Sequence, residues 1–332
     1  MIISRTPMRV SFVGGGSDLP SHYRLHGGAV ISCSIEKFVY ITVNPRFDAG
    51  VRVSYSRTED VQNSGAIEHP LVRAALLEVG IESGVEITSV ADVPSKGSGL
   101  GSSSAFTVGL LHALYAYKGL YRARTDLGKE ACHIEIDICG EPIGKQDQYA
   151  TAVGGLNELR FNPDGGVSVE AIITPHGFLD TLQSSLMMFY TGTTRSASVI
   201  LQEQARTMER DASKSALVRR MAEMCGPFRK ALQEGNLQAV GELLHMGWEL
   251  KSAVADGISN PSIDKMYARG RKAGALGGKL LGAGGGGFML FCVKPDRREE
   301  LIRAMQEFRQ VPFAMNWTGS TIVFYTPPNH IR

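Results

Sequence analysis

The chain has almost no excess of either charge: 35 lysine and arginine residues stand against 33 aspartate and glutamate, for a net charge of +2. Proteins that grip nucleic acid or anionic membrane carry a basic excess, so neither partner is expected. No apolar run reaches the roughly 18 residues a membrane-spanning helix needs, and the opening Met-Ile-Ile-Ser-Arg-Thr-Pro lacks the apolar stretch of a secretory signal. Cysteine is scarce. The five present (Cys33, Cys132, Cys139, Cys225, Cys292) are scattered and form no Cys-x-x-Cys pair. That argues against a disulfide framework or a zinc site and for reduced thiols, so a cytoplasmic location is expected. No internal repeat and no low-complexity linker interrupts the 332 residues. Hydrophobic content of 43% and charged content of 20% describe a globular chain of one large domain or two ordinary ones.

Glycine is abundant, at 38 residues, and it gathers in loops. The most telling cluster is Pro94-Ser-Lys-Gly-Ser-Gly-Leu-Gly-Ser-Ser-Ser-Ala105. Before it, Val85–Asp92 alternates like a strand; after it, Ser102–Tyr117 reads as an apolar helix. Strand, glycine loop and helix start form an anion site, because the loop exposes backbone N–H groups and the helix end adds roughly half a positive charge. The spacing is not a Walker loop, since Lys96 precedes the glycines, and it lacks the βαβ setting of a dinucleotide fingerprint.

In chain order, Ile2–Ser11 is expected as a strand running into Gly14-Gly-Gly-Ser-Asp18. Ala29–Ser34, Phe38–Val43 and Val51–Tyr55 are expected as three more strands, and His69–Gly80 as a helix. Thr125–Ile138 reads as a helix capped by Thr125 and stopped by Gly140. Gly140–Ala150 is rich in breakers and opens a short helix that Gly154-Gly155 ends, before a strand at Leu156–Phe161. Texture changes near residues 163–180, which places a domain boundary there and divides the chain into 1–170 and 171–332. Beyond it, Leu186–Tyr190 reads as a buried strand, and helices are expected over 196–209, 213–234, 237–254 and 262–273. Gly277–Gly287 is a second glycine-rich loop before a strand at Phe288–Val293. A helix at 297–309 and strands at 312–317 and 319–326 close the chain. The predicted class is α+β, with helices layered on an antiparallel sheet in the second half.

Three stretches together resemble the GHMP kinases: Thr6-Pro-Met-Arg-Val-Ser-Phe-Val-Gly-Gly-Gly-Ser-Asp18, the central Pro-x-x-x-Gly-Leu-Gly-Ser-Ser, and Leu281-Gly-Ala-Gly-Gly-Gly-Gly-Phe288. The resemblance spans residues 6–288. It implies an N-terminal domain like ribosomal protein S5 domain 2, a ferredoxin-like C-terminal domain, and ATP with Mg2+ meeting an acceptor between them. It implies ATP binding by Pro94, Lys96, Gly97, Ser98, Gly99, Leu100, Gly101 and Ser102 to Ser104, with Gly284 and Gly285 closing the site. By the same resemblance, Asp147 faces the acceptor hydroxyl beside Arg9. Ser103 and Glu135 are the implied magnesium ligands, with Ser102 or Ser104 as alternatives to Ser103. Gly15, Gly16, Ser17, Asp18 and Tyr23 are the implied acceptor contacts. Where family members that act on galactose carry Gly-Glu-His, this chain has Gly14-Gly15-Gly16, which argues against galactose.

Within the family, Gly-Gly-Gly-Ser-Asp-Leu-Pro-Ser-His-Tyr23, Ile143-Gly-Lys-Gln-Asp-Gln-Tyr-Ala150 and Phe189-Tyr-Thr-Gly-Thr-Thr-Arg-Ser-Ala197 resemble the heptose 7-phosphate kinases, with fucose kinases as the nearest rival. That implies transfer to an anomeric hydroxyl for nucleotide-sugar synthesis. From the residues themselves, Arg195, assisted by Thr193 or Thr194, between a strand and a helix start, suits an acceptor phosphate. A sugar phosphate and ATP are the expected partners, and a homodimer is left open. Two other readings compete: a GHMP-fold sugar sensor without catalysis, and an oxidoreductase using Gly97-x-Gly-x-Gly.

Overall fold

The computed structural model describes residues 1–93, 97–193 and 197–327. In chain order the strands are β1 (Ile2–Val13), β2 (Gly28–Pro45), β3 (Val51–Ser54), β4 (Thr58–Val61), β5 (Val85–Ala91), β6 (Leu156–Phe161), β7 (Val167–Ala171), β8 (Leu186–Tyr190), β9 (Ala275–Leu280), β10 (Phe288–Val293) and β11 (Thr321–Tyr325). Among the described residues they form two sheets. The larger runs β11-β1-β2-β5-β3-β4, with β6 also on β2 and β7 on β6; the smaller is antiparallel, β8-β10-β9.

Where two strands were expected between residues 29 and 43, β2 is one strand of 18 residues. Its pairing with β1 jumps from Pro7–Phe38 to Met8–Ile35, so Glu36 and Lys37 form a bulge that bends the strand without ending it. The front half of β2 carries β6 and the back half carries β5. The expected helix over 213–234 is two helices, Ala212–Glu223 and Cys225–Gln233. Pro227 lacks the N–H that would continue the first.

The helix expected to start at a Thr125 cap begins at Arg124, after Ala123, and finishes in a π-helical turn, His133–Ile138. The last helix stops at Ala304, and residues 312–317 make only an isolated bridge, Met315 to Ile35. β4, β7, β9 and the helix Phe178–Ser185 were not anticipated. β9 was read as part of a glycine loop. Its Gly277 lies so close to the helix Leu237–Ser252 that a Cβ there would meet the Gly241 carbonyl at 1.9 Å.

The two halves share a core. Val10, Phe12 and Ile31 pack in one buried cluster with Phe228, Leu244 and Leu290, and the Phe12 and Phe228 rings stack at 5.6 Å. β11, the last strand, pairs with β1 and returns the chain to the first sheet. The cleft lies where β1, the glycine loop, the helix Gln146–Val153 and the second half converge.

Candidate active site

The central glycine loop leads from β5 into the helix Ser102–Tyr117. Gly97, Gly99 and Gly101 all have positive φ, and Gly101 is the helix N-cap, so no side chain caps the first turn. At Gly99 the loop meets the second glycine loop: a Cβ on Gly99 would stand 2.4 Å from the Leu281 carbonyl, and one on Gly282 would stand 2.3 Å from the Gly99 Cα. Only glycine permits that contact. Gly97, Ser98, Gly99 and Gly101 border the cleft. Leu100 is wholly buried, and its carbonyl accepts the Arg9 N–H at 2.9 Å. Pro94, Lys96, Thr194 and Arg195, all expected at the site, lie outside the described residues.

The three serines face three ways. Ser102 is buried and within 2.8 Å of the Ser98 hydroxyl. Ser104 is buried and donates to Glu135 Oε2 at 2.8 Å. Ser103 is exposed to the cleft, with its hydroxyl 3.3 Å from Glu135 Oε1. Glu135 sits in the π-helical turn and is 1% exposed. Thr107 and Gln148 complete its donors. Burial pushes this carboxyl up to about 7, against the opposing pull of those donors.

Glu135 has no basic partner within ion-pair distance among the described residues. Glu135 does not itself border the cleft; it lies behind the cleft-facing Ser103 hydroxyl, and once ionised the pair offers hard oxygen ligands of the kind magnesium takes. Among the described residues no cluster of three acidic, His or Cys side chains forms a cage. That is compatible with a cation held by one carboxylate and substrate phosphates, so the Ser103–Glu135 pair fits the group.

Arg9 and Asp147 meet as expected. Arg9 Nε and Nη2 each donate to one Asp147 oxygen at 2.7 Å, and Nη1 donates to the Gly99 carbonyl at 2.6 Å. Arg9 is buried on β1, whereas the Asp147 side chain remains 25% exposed at the start of the helix Gln146–Val153. One guanidinium therefore fixes the carboxylate against the glycine loop. Arg9 occupies two of the roughly four lone-pair sites of the carboxylate, and the others remain for a hydroxyl arriving from the cleft.

The first glycine loop forms the opposite wall. Gly15, Gly16 and Asp18 border the cleft. Asp18 Oδ1 accepts from Gly16 N and Gln146 Nε2, each at 2.9 Å, and Oδ2 accepts from Gln146 N at 3.2 Å. Burial, and then the charge of Asp147, raise its pKa. Ser17 is wholly buried, bonded to the Gly14 and Ala29 carbonyls. Tyr23 packs under the loop against Lys145. Neither Ser17 nor Tyr23 borders the cleft.

On the second glycine loop, Gly282 and Ala283 face the cleft. Gly284 packs on Ile258, and Gly285 shares a smaller cavity with Thr191, Thr193, Asn260 and Ser262. Thr193, expected at the acceptor, therefore stands apart from the main cleft.

Sequence reasoning missed the side chains that reach in from the second half. Ser198, Leu201 and Gln204 come from the helix Ala197–Arg210, and Ser198 donates to Glu141 at 2.7 Å across the cleft mouth. Lys251 and Lys279 come from the helix Leu237–Ser252 and from β9. Lys279 could have been noticed as the one charged residue between Gly274 and Phe288; Lys251 had no such signal, because its helix also carries Glu242, His245 and Glu249.

Comparison with known proteins bears on the family and the fold. The GHMP kinases N terminal domain signature matches residues 67–155, and the GHMP kinases C terminal signature matches residues 228–310. A D-glycero-alpha-D-manno-heptose 7-phosphate kinase of Campylobacter jejuni is 26% identical over 318 residues, covering 92% of this chain and 93% of that protein. A bifunctional fucokinase/GDP-fucose pyrophosphorylase of Arabidopsis thaliana is also 26% identical, over 94% of this chain, although the match spans only 32% of the plant protein. The crystal structure of a D-glycero-D-manno-heptose 1-phosphate kinase from Bacteroides thetaiotaomicron superposes with a TM-score of 0.80 at 24% identity, covering 98% of this chain and 100% of that one.

Proposed function

This chain belongs to the GHMP kinase family, and from that premise we propose that it transfers the terminal phosphate of ATP to the anomeric C1 hydroxyl of D-glycero-D-manno-heptose 7-phosphate. The product would be the 1,7-bisphosphate, a precursor for GDP-heptose and surface polysaccharide, made in the cytoplasm. Its relatives make the chain a phosphotransferase acting on a sugar hydroxyl, and GHMP kinases use ATP as the phosphate donor.

The observation that carries the proposal is the Arg9–Asp147 pair, held between the two glycine loops at the point where donor and acceptor would meet. Asp147 orients the acceptor hydroxyl and takes its proton as the phosphoryl group leaves ATP. The loose transition state of phosphoryl transfer asks little basicity of that group. Residues 97–104 would cradle the ATP phosphates at the helix start. Ser103 and Glu135 would hold magnesium, which when bound supplies positive charge to the phosphates. Gly15, Gly16 and Asp18 would meet the sugar, with residues 1–170 and 171–332 as the two working halves.

A second reading, a fucose kinase, is favoured by the likeness to the Arabidopsis fucokinase. The two heptose kinases are also named for different phosphates, so the position of transfer needs direct measurement. ATP consumption should be followed with heptose 7-phosphate, fucose, mannose and mevalonate, and the product position read by phosphorus NMR. Fastest turnover with heptose 7-phosphate and an anomeric phosphate in the product is expected. Preference for fucose, or phosphate elsewhere on the heptose, overturns the proposal.

A further inference from the structure

Two lysines in the cleft are unused by this mechanism. Lys251 is 7% exposed and Lys279 is 5% exposed, and both border the cleft. Each has one hydrogen-bond acceptor, a backbone carbonyl: Gly282 for Lys251, and Phe12, at 3.0 Å, for Lys279. Among the described residues neither ammonium has a carboxylate within 4.0 Å. The two acidic groups that face them are otherwise engaged. Asp147 is held by Arg9, and Asp18 by Gln146 and the Gly16 N–H.

A buried ammonium without a counter-ion is costly, and two together are costlier. Burial lowers the pKa of both, to about 8 for Lys251 and well below its ordinary value for Lys279; the charge of Arg9 adds to this at Lys251, and the charges of Lys251 and Arg9 at Lys279. This arrangement is offset when a dianion enters, because each ammonium keeps spare N–H donors for it.

We propose that Lys251 and Lys279 form a side-chain seat for a phosphate group, separate from the backbone cradle of the glycine loop. Its position brackets the reacting centre: Lys251 holds the second glycine loop at Gly282, and Lys279 holds β1 just before the acceptor loop. The occupant is a phosphate monoester or the phosphoryl group in transit. The inference rests on the kinase reading of the cleft but not on heptose as the acceptor.

The test uses inorganic phosphate as probe, read by calorimetry and by thermal shift, with and without a saturating non-hydrolysable ATP analogue. Wild type should bind phosphate. Lys251→Met and Lys279→Met should each weaken that binding on the order of 10-fold or more, as loss of a charged hydrogen bond implies. Both variants should also melt higher than wild type without ligand, since an unpaired buried charge has gone. Phosphate binding that survives the ATP analogue in wild type and is lost in the variants assigns the seat to a phosphate already on the acceptor. Binding that the analogue abolishes assigns it to the transferred group. Phosphate affinity equal in wild type and both variants overturns the seat, whatever sugar the kinase proves to use. Lys→Gln at each position serves if a methionine variant does not fold.

Discussion

At the scale of single residues, the site turns on two carboxylates in opposite surroundings. Asp147 is partly open and gripped by a guanidinium; Glu135 is sealed and faces only neutral donors. Asp147→Asn should lower kcat by ~10²–10⁴-fold and leave KM for ATP nearly unchanged, because in the proposed mechanism the lost group acts on the acceptor. Near-normal turnover would remove Asp147 from the mechanism.

Glu135 makes a different prediction. Its carboxyl is pushed up to about 7 from an ordinary 4.5, so metal-free folded protein holds this proton where the unfolded chain has released it. Stability from this group is therefore full below pH 4.5 and is lost as pH rises through 7. Melting curves of wild type and Glu135→Gln should diverge in the variant's favour between pH 5 and 8, by at most about 3 kcal/mol. Magnesium should recover wild type at pH 8 and not the variant. Parallel pH profiles would sink this account. Both carboxylates were legible in the sequence through motif likeness. Their environments were not, because Thr107 and Gln148 reach Glu135 only through the π-helical turn, which no local pattern announced.

At the scale of elements, what could be read was whatever depends on local chemistry. The helix Ser102–Tyr117 begins and ends where the glycine loop and the apolar run place it. Long-range pairing decided the rest. β2 stays one strand because β1 pairs with it from Ile31 to Val43, its two extra residues, Glu36 and Lys37, being accommodated as a bulge. β9 is a strand because β10 pairs with it, despite two glycines that argue for a loop.

The glycine loops offer a test of close approach as distinct from backbone freedom. Gly80 also has left-handed φ, at the end of the helix Pro70–Val79, but a Cβ there meets nothing within 4 Å. Gly80→Ala should cost only the left-handed penalty of about 1–2 kcal/mol in stability and leave catalysis alone. Gly99→Ala carries the same penalty and also drives a methyl into the Leu281 carbonyl. It should separate the two loops and raise KM for ATP well beyond any change from Gly80→Ala. Equal kinetics in the two variants would show that the loops need not touch for ATP to bind.

At the scale of the whole molecule, the division near residue 170 follows texture along the chain, while the packing ignores it. Phe12 stacks on Phe228, and their buried cluster draws on both halves. Lys279 reaches the Phe12 carbonyl from β9. Thr6 shares a hydrogen bond with Ser320, which also meets His112, so the end of the chain is tied to the first strand and to the glycine-loop helix. Removing either half would expose apolar surface that the other half now covers, which couples their unfolding. Calorimetry should show one transition whose calorimetric and van't Hoff enthalpies agree. A chain ended at Thr318 loses β11 and the Ser320 contacts, and leaves the β1 edge unpaired. Because the core is common, that truncation should lower the single transition as a whole, without splitting off a separately melting second half. Two resolved transitions in the full chain, or a truncation that moves only one of them, would show that the shared cluster does not bind the halves into one unit.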